Sequence, residues 1–119
     1  MAKTLLIIED EPLLGAELKR YFTREGWRVV LADSLAAARS QLFVKGLLPP
    51  VVLSDMNLPD GNALDLLEEA CEQQIGGEWV FLTGYGSVAD SVRALRLGAY
   101  DFLEKPVDFN HLNLVINSA

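Results

Sequence analysis

The stretch Val51-Val52-Leu53-Ser54-Asp55-Met56-Asn57-Leu58-Pro59-Asp60-Gly61 decides how this chain reads. It opens on a β-branched apolar run, reaches Asp55, and then breaks into turn-forming residues. A short apolar run without alternation suits a strand buried on both faces, as in parallel sheets. Comparable runs stand at 5–8, 29–31, 80–82 and 100–103. Helical spacing fills the gaps: Leu14, Leu18 and Tyr21; Leu35, Ala38 and Leu42; Val88, Val92 and Leu95; Leu112, Val115 and Ile116. Pro12 suits a first helical turn, Ser34 an N-cap, and Ser87-Val88-Ala89-Asp90 a capping box. Gly26 and Gly98 stand where left-handed helix ends are wanted. Alternating strand–helix units predict a single α/β domain with a parallel five-stranded sheet over residues 1–119.

Composition narrows the function. The 119 residues are 50% hydrophobic and 23% charged, which excludes a disordered chain. No apolar stretch approaches the ~18 residues of a membrane span. The single cysteine, Cys71, allows no internal disulfide and points to a reducing compartment such as the cytoplasm. A net charge of −7 repels a phosphate backbone, so nucleic acid is not an expected partner of this domain.

In a parallel α/β sheet, ligands bind beyond the carboxyl ends of the strands. The residues just after each run therefore carry the functional signal. Glu9, Asp10 and Glu11 come after the first, Asp55 after the third, Thr83 and Gly84 after the fourth, and Lys105-Pro106 after the fifth. Singly, each has an ordinary explanation: acids favour helix N-termini, and strand-end lysines are usually solvated. Their coincidence at one edge is harder to explain that way. Converging carboxylates repel unless a cation sits among them, and oxygen-only donors suit a hard ion such as Mg²⁺. Asp55 beside a metal and Lys105 suits an aspartyl nucleophile for phosphoryl transfer.

With those blocks in place, together with Gly98-Ala99-Tyr100-Asp101-Phe102-Leu103-Glu104-Lys105-Pro106, the chain resembles the receiver domain of two-component response regulators along essentially its whole length. The resemblance implies a flavodoxin-like (βα)5 doubly wound sandwich with strand order 2-1-3-4-5. It implies Asp55 as phosphoacceptor, and Glu9, Asp10, Asp55 and the backbone carbonyl of Asn57 around Mg²⁺. It implies Lys105 as the phosphoryl-pairing lysine, Thr83 as the switch hydroxyl and Phe102 as the aromatic that turns inward. The Lys105-Pro106 bond is often cis in such domains. The expected partner is a sensor histidine kinase or a phosphotransfer protein. The fourth helix, fifth strand and fifth helix are the expected output face and a homodimer surface, with Arg93 and Arg96 as candidates on it. The output is expected to be transcriptional, with no enzymatic activity beyond self-phosphorylation and slow self-dephosphorylation. The resemblance further implies that Asn57 and Tyr85 flank the approach of the hydrolytic water. Two departures stand out: Glu9 replaces the commoner aspartate, and Ala63 replaces a glycine, so the turn is expected to take a slightly different backbone because alanine tolerates positive φ poorly.

Other readings fit less well. A haloacid-dehalogenase-type phosphatase needs an aspartate two residues after its nucleophile, where Asn57 stands. A flavin module needs a phosphate loop where Glu9-Asp10-Glu11 stands, and a pseudo-receiver would not keep the acceptor, acids, threonine and lysine. A stand-alone receiver remains compatible with the chain. His111 has no neighbouring ligand. Cys71 is expected to pack, Trp27 and Trp79 to precede strands, and Asp65, Glu68, Glu69 and Glu72 to form a solvated face.

Overall fold

Apolar runs at 5–8, 51–53 and 80–82 become the three inner strands, and the rest of the chain is laid out around them. The structure is a computed structural model that describes residues 2–84 and 88–119. The chain runs β1 (Thr4–Ile8), α1 (Pro12–Arg24), β2 (Arg28–Ala32) and α2 (Leu35–Arg39), then a π-helical turn (Ser40–Val44) and β3 (Val51–Asp55). It continues through β4 (Asn57–Leu58), β5 (Gly61–Asn62), α3 (Ala63–Glu72), β6 (Glu78–Thr83), α4 (Val88–Arg96), β7 (Asp101–Glu104) and α5 (Phe109–Ser118).

The main sheet is parallel, in the order β2-β1-β3-β6-β7. With the small β4–β5 hairpin set apart, this is the expected order 2-1-3-4-5. One face of the sheet packs Leu6, Ile8, Val52 and Phe81 against α2, α3 and Ala94 of α4. The other packs Leu5, Ile7, Leu53 and Val80 against α1 and α5. Side chains alternate between these layers because the strand period is two. Among the described residues, no helix is long and apolar enough to cross a membrane.

Several expectations need correction. Only β3 is buried throughout; β1 and β6 are buried except at Thr4 and Glu78, and β2 and β7 are partly exposed because each lacks a neighbour on one side. In α1 the buried line is Gly15, Leu18 and Phe22, while Leu14 and Tyr21 are half-buried. In α4, Val92 is 42% and Leu95 64% exposed, and Ala94 is the side chain turned into the core. That helix sits over the sheet's edge, where there is too little strand surface to cover a full apolar stripe. Ser87 and the side chain of Val88 lie outside the described residues. Trp79 is a buried member of β6 and does not precede it; Trp27 does precede β2. Cys71 is exposed.

Glu72 of α3 is exposed, as expected of a solvated face, but three other acids of that helix also carry ion pairs. Glu69 meets Arg39 of α2 at 2.9 Å, and Asp65 and Glu68 meet Arg93 of α4 at 2.6 and 2.8 Å. Ala63 has no positive φ: it opens α3, and its N–H donates to the Met56 carbonyl at 2.8 Å. The positive φ in this turn falls on Gly61, at 144°. Pro12, Ser34, Gly26 and Gly98 stand as expected: Pro12 opens α1, Ser34 accepts the Ala37 N–H, and both glycines have positive φ.

Candidate functional site

β1 ends at Ile8, and the Glu9 N–H still donates to the Ala32 carbonyl at 2.9 Å, so Glu9 stands at the sheet's carboxyl edge. Its side chain is turned inward and the residue is only 3% exposed. Glu9 Oε2 accepts the Glu11 N–H at 3.1 Å. Asp55, 5% exposed, closes β3 beside it. Lys105 is delivered from β7: its N–H donates to the Thr83 carbonyl at 2.8 Å, and the following bond to Pro106 is cis. Its ammonium lies 2.9 Å from Asp55 Oδ1, 3.2 Å from Glu9 Oε1 and 3.5 Å from Glu11 Oε2.

Glu9, Asp10 and Asp55 each offer a carboxylate oxygen within 4.8 Å of the others. Asp10, Glu11, Asp55, Asn57, Leu82, Gly84 and Lys105 line a polar cleft of about 250 Å³ there. A larger, apolar groove of about 550 Å³ lies on the far side of Lys105, walled by Pro12, Leu13, Leu14, Pro106, Val107 and Phe109. It shares only Glu11 and Lys105 with the polar cleft, and the converging charges stand in the smaller space.

Negative charge exceeds positive at this edge. Burial first, then the hydrogen bond and charge of Glu9, push the Asp55 carboxyl up to about 8, with Lys105 pulling the other way. Burial also works against the charge on Lys105, but the hydrogen bond and charge of Asp55, then those of Glu9, outweigh it and raise its pKa. Asp55 Oδ1 is buried, with the Lys105 ammonium 2.9 Å away as its partner at a geometry poor for a directed hydrogen bond. An under-coordinated buried oxygen beside two further carboxylates fits a hard divalent cation, which would bring Asp55 back to its ionised form.

Glu9, Asp10, Asp55 and Lys105 therefore meet as expected, and Asn57 lines the same cleft. Thr83 is buried at the end of β6. Phe102 lies outside the cleft, half-buried against the core layer under α4. Phe102 pairs in register with Phe81, and alternation puts Phe81 and Thr83 on one face, so Thr83 and Phe102 share the α4 side. Tyr85 lies outside the described residues. Sequence reasoning missed two features. One is the pair of ties from Lys105 to Glu9 and Glu11, for which three acids facing one lysine were the only signal. The other is the grip of Asp60 on the start of α2, which no local pattern announces.

The sequence model of the family described as "Response regulator receiver domain" matches residues 5–117. The chain belongs to this family. It is 32% identical over 110 residues to the photosynthetic apparatus regulatory protein RegA of Rhodobacter capsulatus, covering 92% of this chain and 59% of that protein. It is 37% identical over 111 residues to the transcriptional regulatory protein CitB of Klebsiella pneumoniae, covering 92% and 47%. The chain thus spans about half the length of the curated relatives it matches. Among solved structures, a CheY-like receiver domain protein from Methanospirillum hungatei JF-1 superimposes with a TM-score of 0.91 at 28% identity, over 99% of this chain and 93% of that one. The beryllofluoride-activated NtrC4 receiver domain dimer gives 0.86 at 30% identity, over 97% and 93%. This receiver domain therefore belongs to two-component signalling, and its relatives include transcriptional regulators.

Proposed function

We propose that this receiver is a phosphorylation-controlled switch, with Asp55 taking a phosphoryl group from a phosphohistidine of a sensor histidine kinase or phosphotransfer protein in the cytoplasm. The observation that carries the reading is the convergence of three carboxylates with Lys105 at one sheet edge. An Asp55 oxygen forms the bond to phosphorus as the donor's P–N bond breaks. The electron pair of that bond returns to the imidazole ring, which takes up a proton. Glu9, Asp10, Asp55 and the Asn57 carbonyl would hold Mg²⁺. When bound, Mg²⁺ supplies charge neutralisation at the phosphoryl oxygens. Lys105 passes from Asp55 to a phosphoryl oxygen and stabilises the charge there. The chain's only chemistry is then its own phosphorylation and slow dephosphorylation. A single Mg²⁺-dependent phosphoryl adduct, read by intact mass with a small phosphoryl donor, is expected; its absence with small donors and cognate kinase alike would overturn the reading.

Asp10→Ala is expected to remove measurable Mg²⁺ binding, since a hard ion loses a charged oxygen ligand. Calorimetry reads this directly, and unchanged affinity would count against Asp10 as a ligand.

Signalling follows from the added charge and acceptor oxygens. The Thr83 hydroxyl donates to one of them and moves toward Asp55, and Phe102, on the same face, takes the vacated space. Thr83→Ala should still be phosphorylated yet lose most of the conformational response. Amide-shift changes on adding a phosphoryl mimic are the readout; a full wild-type response in the mutant would contradict the coupling. The response ends at α4, β7 and α5, where Val92, Leu95 and Tyr100 are exposed. That surface suits a homodimer, and the NtrC4 receiver is described as one. Control of transcription is the proposed output, following relatives such as CitB.

A further inference from the structure

The loop between Asp55 and α3 is held from both ends. At its base, the Met56 N–H donates to the Leu82 carbonyl at 2.8 Å, and the Ala63 N–H donates to the Met56 carbonyl at 2.8 Å. Its middle is the β4–β5 hairpin, in which Asn57 pairs with Asn62 and Leu58 with Gly61. Its tip reaches a helix much earlier in the chain. Asp60 Oδ1 accepts the Leu35 N–H and Oδ2 the Ala36 N–H, both at 3.0 Å.

α2 needs this help. Its N-cap, Ser34, accepts the Ala37 N–H on Oγ at 3.1 Å and the Ala38 N–H on its carbonyl at 3.1 Å. That leaves the Leu35 and Ala36 N–H groups, which no residue within the helix can accept. Asp60 takes both. The two amides, Leu35 first and Ala36 second, hold its carboxyl below the usual aspartate range, so these are charge-assisted bonds at neutral pH. Gly61 permits the approach: its φ is 144°, and a Cβ there would lie 3.1 Å from Leu35 Cδ1.

We infer that Asp60 is a positioning residue for the phosphoryl-transfer site, fastening the hairpin that carries Asn57 onto α2 and so fixing where the Asn57 carbonyl stands relative to Asp55. The inference rests on the reading that this carbonyl is a metal ligand. Asp60 is not a ligand itself, because both its oxygens are committed to α2. A hairpin with only two paired positions cannot hold its own place. Buried Met56 and Leu58 anchor its base; the Asp60 tie adds the anchor at its tip, and a ligand already in position loses less freedom on binding.

The test compares Mg²⁺ dissociation constants by calorimetry for wild type, Asp60→Ala, Asp60→Asn, Ser34→Ala and Asp10→Ala. Asp60→Ala is expected to weaken Mg²⁺ roughly tenfold, the lower end for residues that orient metal ligands. Asn keeps one acceptor oxygen and should recover part of the loss. Ser34→Ala removes the other cap of the same helix without touching the hairpin and should bind as wild type. Amide exchange at Leu35 and Ala36 should rise in Asp60→Ala, which shows that the two bonds are gone. Wild-type Mg²⁺ affinity in Asp60→Ala with those amides exposed overturns the positioning role, and so does an equal loss in Ser34→Ala. If Asp60→Ala does not fold, Asp60→Asn against Ser34→Ala decides the same question. Full Mg²⁺ affinity in Asp10→Ala, or none in wild type, overturns the underlying site reading and this inference with it.

Discussion

Asp55→Asn is expected to take up no phosphoryl group from a small donor or from a kinase. An amide has no anionic oxygen to attack phosphorus, and it removes the one carboxylate that ends the central strand in contact with Lys105. Glu9 is a poor substitute because it already holds the Glu11 amide and Lys105. Asparagine is close to isosteric, so the fold and the core around β3 should survive. Intact mass after incubation with donor and Mg²⁺ gives the answer directly. Labelling of the mutant at a rate comparable to wild type would remove Asp55 as the acceptor.

Without Mg²⁺, the wild-type protein is expected to lose stability as pH rises from about 4 to about 8, and Asp55→Asn to escape that loss. The unfolded Asp55 titrates near 3.8, whereas burial and Glu9 raise the folded carboxyl to about 8. Between those values the folded state holds a proton that the unfolded state has released. The stability this proton contributes is therefore full below the lower value and lost on the way to the upper one, at most ~1.4 kcal/mol per pH unit. Lys105 adds no slope, since its raised pKa keeps it charged in both states across this window. Asp60, whose pKa is lowered, adds slope only below its unfolded value. Mg²⁺ bound at the proposed site would favour the Asp55 carboxylate and should flatten the wild-type curve. Urea titrations in EDTA at several pH values, wild type against mutant, test this. Parallel curves for the two proteins would contradict a folded Asp55 that holds its proton.

Much of this was legible in the chain itself. Unbroken apolar runs marked the inner strands, because a strand covered on both faces has no polar side to show. Pro12, Ser34, Gly26 and Gly98 marked helix ends through purely local chemistry. The residues after each run announced which groups converge, because a parallel sheet brings all its carboxyl ends to one edge. The readings that failed depended on what a neighbour covers. Val92 and Leu95 have helical spacing, yet their stripe finds no sheet beneath it. Phe22 was passed over because spacing alone did not choose between two adjacent lines on α1.

The sequence by itself determined the strand–helix alternation, the sheet order through family resemblance, and which acids and which lysine meet. These follow from local propensity, burial pattern and the common direction of parallel strands. Only the tertiary structure decided what those groups do to one another. It set the burial that pushes Asp55 up, the three-way contact of Lys105 with Asp55, Glu9 and Glu11, and the link from Asp60 to an amide pair 24 and 25 residues away. Such effects depend on distance and on excluded water, and neither is carried by residue spacing.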